Sequence, residues 1–411
     1  MDASNYNAPT AAGSYGQRAL FAGAALFVVA SVVAFLFGGA VQFFRSYLVG
    51  FFFVTGLAVG SLVWLMLGHM TGGGWAIMSR RIFEAATRTL PLCALLFIPI
   101  VVSLFVHPGG HSLYEWSDPH HVAQDTVLQY KAKYYLNTPF FIVRGVFYFA
   151  VWLLLAYFMN KWSLQQDASG DPRIRRKMQD VSGPGILLFG LTVTFAAVDW
   201  GMSLEPHWFS TIYGLIAMAG WGLSALAFTI TVASFLVREE PLADVYAPVH
   251  FHDWGKLLLA MVMLYAYFSF SQFLITWSGN LLEEIPFYLR RLRGGWQYVG
   301  LAMILFHFAL PFALLLSRSL KRHAHTLRRV ALLMLLMRVV DLVFLFAPAS
   351  HQGPEQSSGI HPIDFVTMFG VTAGLVGIWL YFFFAQLAKR PLVPLGEPNL
   401  EKALEAAHAH H

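Results

Sequence analysis

The residues in this sequence with the most to say about chemistry are charged ones set in apolar runs. Asp199 ends the stretch PGILLFGLTVTFAAVD, and Asp341 lies inside RVVDLVFLFAP. An ionisable group at hydrocarbon depth costs roughly 2.5–3.5 kcal/mol on insertion scales, so each is a functional candidate by default. Sorted by depth, the groups form two sets. His69, Glu84, Arg88, Asp253 and Lys256 lie towards one side of the membrane, and Arg144, Asp199, Arg338 and Asp341 towards the other, with His307 between. Glu84 and Arg88 stand four apart, and Arg338 and Asp341 three apart, spacings that bring partners onto one helix face. One reading is that such pairs fasten helices together. The other is that they form two half-pathways for a proton. Desolvation raises a carboxyl pKa and a neighbouring guanidinium lowers it, and these opposing pulls let buried acids titrate in a useful range.

The elements that must position these groups are membrane helices. The chain has 411 residues, 57% of them hydrophobic and only 12% charged, too little polar surface to clothe a water-soluble fold. A bilayer core about 30 Å thick needs about 20 apolar residues per helix. On that measure ten spans are expected, near 19–42, 46–69, 82–106, 139–160, 183–202, 209–237, 253–279, 294–317, 327–348 and 363–386. No period-two alternation suggests a β-barrel. The expected fold is therefore all-α and polytopic, with two four-helix bundles made of spans two to five and six to nine plus flanking helices. No sequence identity between the two halves is evident. Residues 1–18 and 387–411 form terminal segments, 107–138 an outer loop and 161–182 a basic inner loop.

Orientation follows from the bases. With the N-terminus inside, the inner segments, Arg238 among them, hold 18 Lys and Arg, whereas the outer ones hold Arg45, Lys131, Lys133, Arg290, Arg291 and Arg293. The positive-inside rule then places both termini in the cytoplasm. The formal charge of +5 comes from these loops, which points to lipid headgroups and not to nucleic acid.

Much redox and nucleotide chemistry has no ligands here. The single cysteine, Cys93, cannot hold an iron–sulfur cluster, and no CxxCH attaches a c-type haem. No phosphate-binding GxxxxGK[ST] loop occurs. His307 is the one histidine near mid-span, and a b-type haem on facing helices needs two. His107, His111, His120 and His121, with Glu115, Asp118 and Asp125, invite a metal reading of the outer loop, but their spacing matches no compact tetrahedral site.

Three longer strings narrow the field: AVDWGMSLEPHWFSTIY at 197–213, HDWGKLLLAMVMLYAYFSFSQFLITWSGNLLEEIPFYLRRLR at 252–293, and RVVDLVFLFAP at 338–348. Together they resemble the ActF-type membrane subunit of alternative complex III, a bacterial quinol:cytochrome c oxidoreductase. That subunit belongs to the broader NrfD-like, polysulfide-reductase membrane-subunit family. The resemblance runs from about residue 19 to 390. It implies ten helices around two four-helix bundles in the bacterial cytoplasmic (inner) membrane, and no cofactor of the chain's own. The implied partners are multihaem and monohaem cytochrome c subunits, an iron–sulfur subunit, a paralogous NrfD-like membrane subunit, small membrane subunits and a terminal oxidase, with haem c and iron–sulfur clusters confined to them. The implied role is respiratory electron transfer from quinol, with proton conduction and scaffolding as this chain's own part. A quinol site would need an apolar slot with polar groups for two ring oxygens, which Asp199, Glu205, His207 and Gln272 could supply near the outer face. Without the resemblance, ten spans with buried charges suggest a secondary transporter. Transporters commonly break a matched pair of helices at mid-membrane, and although Pro91 and Pro311 lie in or near spans, no matched pair stands out.

Overall fold

The computed structural model describes residues 6, 10–108, 111–237, 245–350 and 359–408, and Arg238 lies outside them. Among the described residues, nine helices are long and apolar enough to cross a membrane. They are α1 (Thr10–Thr71), α2 (Gly74–Ser103), α3 (Thr138–Ser169), α4 (Pro172–Trp200), α5 (Tyr213–Leu236), α6 (Pro248–Gly279), α7 (Trp296–Leu316), α8 (Ala324–Phe346) and α9 (Pro362–Leu387). No strand occurs among these residues.

Helix α1 has 62 residues. At about 1.5 Å per residue that is roughly 93 Å, three times the hydrocarbon thickness. It is two crossings folded back at Gly39, whose φ of 67° and ψ of −166° are open only to glycine. The packing against α9 proves the reversal. Along the first arm, Gly16 faces Tyr381 and Phe384, Gly23 faces Gly377, and a Cβ on Gly370 would meet Ala30, so the two run antiparallel. Along the second arm, Ser46 donates to Thr367 at 3.0 Å and Gly50 faces Thr372 and Leu375, so the two run parallel. A Cβ at Gly377 would stand 2.6 Å from Cα of Gly23, the close backbone approach that small residues permit between membrane helices. Ten crossings return the chain to the face it left. The amide of Leu392 donates to the carbonyl of Tyr6 at 2.7 Å, so both ends lie on what we term the terminal face.

The second arm of α1, α2, α3 and α4 pack in a closed ring, and α5, α6, α7 and α8 form another. The rings meet where α5 lies against α1 and α4, and the first arm of α1 with α9 flanks them. This is the arrangement of two four-helix bundles expected from the sequence. The basic 161–182 segment is not a loop. Helices α3 and α4 continue through it to a two-residue turn, where Gly170 takes φ 64° and Asp171 caps α4 by accepting from the amide of Arg173. Charged helix ends projecting past a bilayer look like loops when only hydropathy is read. In the 107–138 segment Asp118 and Asp125 cap the short helices Pro119–Gln124 and Thr126–Tyr134.

Candidate functional site

Two carboxylate centres occupy the interiors of the two bundles. In the first, Asp199 of α4 is fully buried and accepts a paired contact from Arg144 of α3, with Nε and Nη2 each at 2.8 Å. Tyr148, one turn from Arg144, donates its hydroxyl to the same carboxylate at 2.7 Å. The rest of the guanidinium is also engaged: Nη1 donates to the carbonyl of Tyr135, and the group lies 3.8 Å from the Tyr135 ring centroid and 4.3 Å from that of Phe140. Trp200, the next residue, is packed among Phe51, Phe97, Phe149 and Trp152, a wall of rings beside the pair. A planar bidentate contact of this kind is among the strongest side-chain interactions available.

In the second bundle Asp341 of α8 pairs with Arg338 one turn earlier and accepts from the hydroxyl of Tyr265 on α6 at 2.6 Å. The His307 ring lies 4.7 Å from that of Tyr265, tilted at 51°, and its buried Nε2 has no hydrogen-bond partner among the described residues. His307 sits in a π-helical turn, residues 303–309. The cause is Pro311, which has no N–H for the carbonyl of His307 four residues back, so the ladder opens there. Room for Arg338 is made by α5: a Cβ at Gly220 would stand 2.4 Å from Cζ of the guanidinium. Gly220→Ala should therefore push Arg338 off Asp341 and cost about 1–3 kcal/mol, as overpacking does. Thermal unfolding of the purified chain, with Gly183→Ala as a control where a Cβ meets nothing within 4 Å, checks this; equal melting points would contradict it.

The two centres occupy matching places. Each acid lies on the fourth helix of its ring, follows a valine (Val198, Val340) and precedes a proline by seven residues (Pro206, Pro348). That short repeat was the available signal of a duplicated plan. The two tyrosines were not foreseen, although Tyr148 lies four residues from Arg144 on the same face.

On the terminal side, Glu84 is buried and bonded to Arg80 at 3.0 Å, Arg81 at 2.7 Å and Arg390 at 3.1 Å, and it accepts from Ser163. Arg80 and Arg175 both reach Glu397 of the C-terminal segment, at 3.0 and 3.1 Å. Arg88 does not pair with Glu84. It donates to Asn160 at 3.1 Å and to the carbonyl of Gln386 at 2.6 Å. Helical side chains lean towards the N-terminus, which directs Glu84 back to Arg80 and Arg81. His69 is buried beside a small cavity of about 20 Å³, room for a single water, shared with Arg80, Arg175 and Glu397. Asp253 and Lys256 do not belong with these buried groups. They pair with each other at 3.1 Å with side chains 36% and 57% exposed, because α6 begins at Pro248 and these are its first turns.

The four residues weighed for quinol are committed to separate networks. Asp199 is held by Arg144. Glu205 is clamped by Arg290 at 3.0 Å and by Arg291 at 2.7 Å, and buried Arg291 also donates to the carbonyls of Phe287, Phe344 and Leu345, tying this turn to the end of α8. His207 is exposed and bonds Asp125 at 2.6 Å, and Gln272 accepts from Ser210 at 3.1 Å. In this region burial lifts the carboxyl of Glu115 above its ordinary range. Burial also pulls Asp125 upward, but the hydrogen bonds from His207 and from the amides of Leu128 and Val127 outweigh it and leave that acid below its ordinary value. Among the described residues, no three His, Cys, Asp or Glu converge as a metal site.

No protein-family model matches this chain, and no curated protein matches its sequence.

Proposed function

We propose that this chain is a cofactor-free integral membrane subunit of a quinol:cytochrome c oxidoreductase of the alternative complex III type, contributing a proton pathway and the scaffold around it. The observation that carries the reading is the pair of matched centres, Asp199 with Arg144 and Tyr148, and Asp341 with Arg338, Tyr265 and His307. A fastening pair needs only two charges. Here each carboxylate also receives a tyrosine hydroxyl, and in the second bundle a histidine nitrogen with no partner among the described residues lies beside that tyrosine, which makes a line of groups able to pass a proton. His69, Arg80 and Glu397, around a cavity with room for a water, supply the other half-pathway on the terminal face, which in this reading is the cytoplasmic one. Electron carriers belong in this reading to haem- and iron–sulfur-bearing partners. Direct quinol binding ranks second, because Asp199 and Glu205 already have their arginines.

In a complex purified with its partners and reconstituted in liposomes, Asp341→Asn and Asp199→Asn should leave quinol oxidation running while abolishing the proton movement coupled to it. Proton movement measured against electrons transferred tests this. Wild-type coupling in both variants would leave only a fastening role, and purification of the chain free of haem-bearing polypeptides would remove the complex.

A further inference from the structure

A different part of the molecule points to a bound lipid. Both arms of α1, together with α5, α8 and α9, surround a crevice of about 790 Å³, within the roughly 300–1,000 Å³ of sites that enclose a whole small ligand. Its floor is buried and almost wholly apolar, made by Phe53, Leu57, Phe228 and Val232. Its lips, Tyr15, Phe235, Leu332 and Leu336, are about half exposed, so the crevice opens sideways to whatever surrounds the helices. Along α9 it runs from Phe384, near the terminal face, to Phe369. At about 1.5 Å per residue that is roughly 22 Å, enough to take the roughly 15 Å of one leaflet's hydrocarbon and short of the whole core of about 30 Å.

What fills it is indicated by charge at one end only. On α8 the lining residues Leu332, Leu335 and Val339 continue at helical spacing to Arg328, and Leu332 and Leu336 continue to Arg329. The Arg328 guanidinium lies 4.6 Å from the ring centroid of Phe235, on the lip itself. On α1, Arg18 stands three residues after the lining residue Tyr15, on the same helix face. An apolar slot long enough for one leaflet's acyl chains, with arginines confined to its membrane-surface end, is complementary to a molecule with hydrocarbon chains and an anionic head. Guanidinium suits phosphate because its planar fork donates two parallel hydrogen bonds, and basic pockets between membrane helices recognise lipid head groups in this way.

We propose that this crevice binds one anionic phospholipid, with its acyl chains in the slot and its phosphate at the Arg18 and Arg328 end. The inference is independent of the proton pathway, since none of the residues lining the crevice belongs to either carboxylate centre.

Native mass spectrometry of the full chain, titrated with dioleoylphosphatidylglycerol or dioleoylphosphatidylcholine, tests it. The wild type should retain one phosphatidylglycerol under conditions that strip phosphatidylcholine. Arg18→Gln with Arg328→Gln should weaken that retention about thirtyfold. Ala373→Trp and Leu336→Trp, at exposed positions on the crevice where folding tolerates a larger side chain, should abolish it by filling the slot. Equal retention of the two lipids, retention unchanged by the arginine substitutions, or retention surviving both tryptophans would each overturn the proposal.

Discussion

Replacing Arg144 by methionine is expected to destabilise the chain by about 3–5 kcal/mol, and replacing Arg144 and Asp199 together, as Met and Asn, to restore most of that loss. The asymmetry follows from what each partner is left with. Asp199 is fully buried and without Arg144 keeps only the Tyr148 hydroxyl, one donor for a charge that was shared among three. Arg144 without Asp199 still has the carbonyl of Tyr135 and lies against two rings. Asp199→Asn alone should therefore be the milder single change, and asparagine can still accept from Tyr148. Unfolding of the four proteins in one detergent forms a double-mutant cycle. If the double variant is no more stable than Arg144→Met alone, the stability at this site comes from ring packing around the guanidinium, and the ion pair contributes nothing.

The same centre shows what could be read from the residues alone and what could not. Asp199 and Asp341 were conspicuous because an acid in an apolar run has few explanations. Their partners differ in legibility. Arg338 was paired with Asp341 from its spacing, since three residues on a helix place both on one face. Arg144 lies 55 residues from Asp199 on another helix, and no local pattern connects them. Glu84 had bases before and after it at helical spacing, and the choice of Arg88 failed because spacing is symmetric while the lean of helical side chains is not. Ten crossings followed from hydropathy, and the packing of α1 against α9 carries the first two through a single hydrogen-bonded helix whose reversal depends on Gly39. Hydropathy placed the helix ends poorly around 161–182, because turns of α3 and α4 that leave the apolar layer are charged and still helical. Arg390 and Glu397 could not have been foreseen at the Glu84 site, since a C-terminal segment of mixed composition gives no sign of what it packs against.

That last contact leads to the second large expected effect. Glu84→Gln should cost about 3–5 kcal/mol, because it removes the one carboxylate facing Arg80, Arg81 and Arg390 together and leaves three cations crowded in a buried site. Arg81 keeps Asp167 and Arg80 keeps Glu397, but among the described residues Arg390 keeps only a hydrogen bond to Asn160. The loss should therefore be felt furthest along the chain in the C-terminal segment, whose Leu392, Val393, Leu400 and Ala403 are buried against the terminal face. Glu397→Gln supplies the comparison. It takes an acid from Arg80 and Arg175 while leaving Glu84 with all three arginines, so it should loosen that segment without a comparable loss of global stability. Hydrogen exchange across residues 388–404, read beside thermal unfolding, separates the two: Glu84→Gln should raise exchange and lower the melting point, Glu397→Gln chiefly the former. Unchanged exchange in Glu84→Gln would mean that the apolar contacts alone seat the segment, and that the arginine cluster closes the first bundle without reaching its tail.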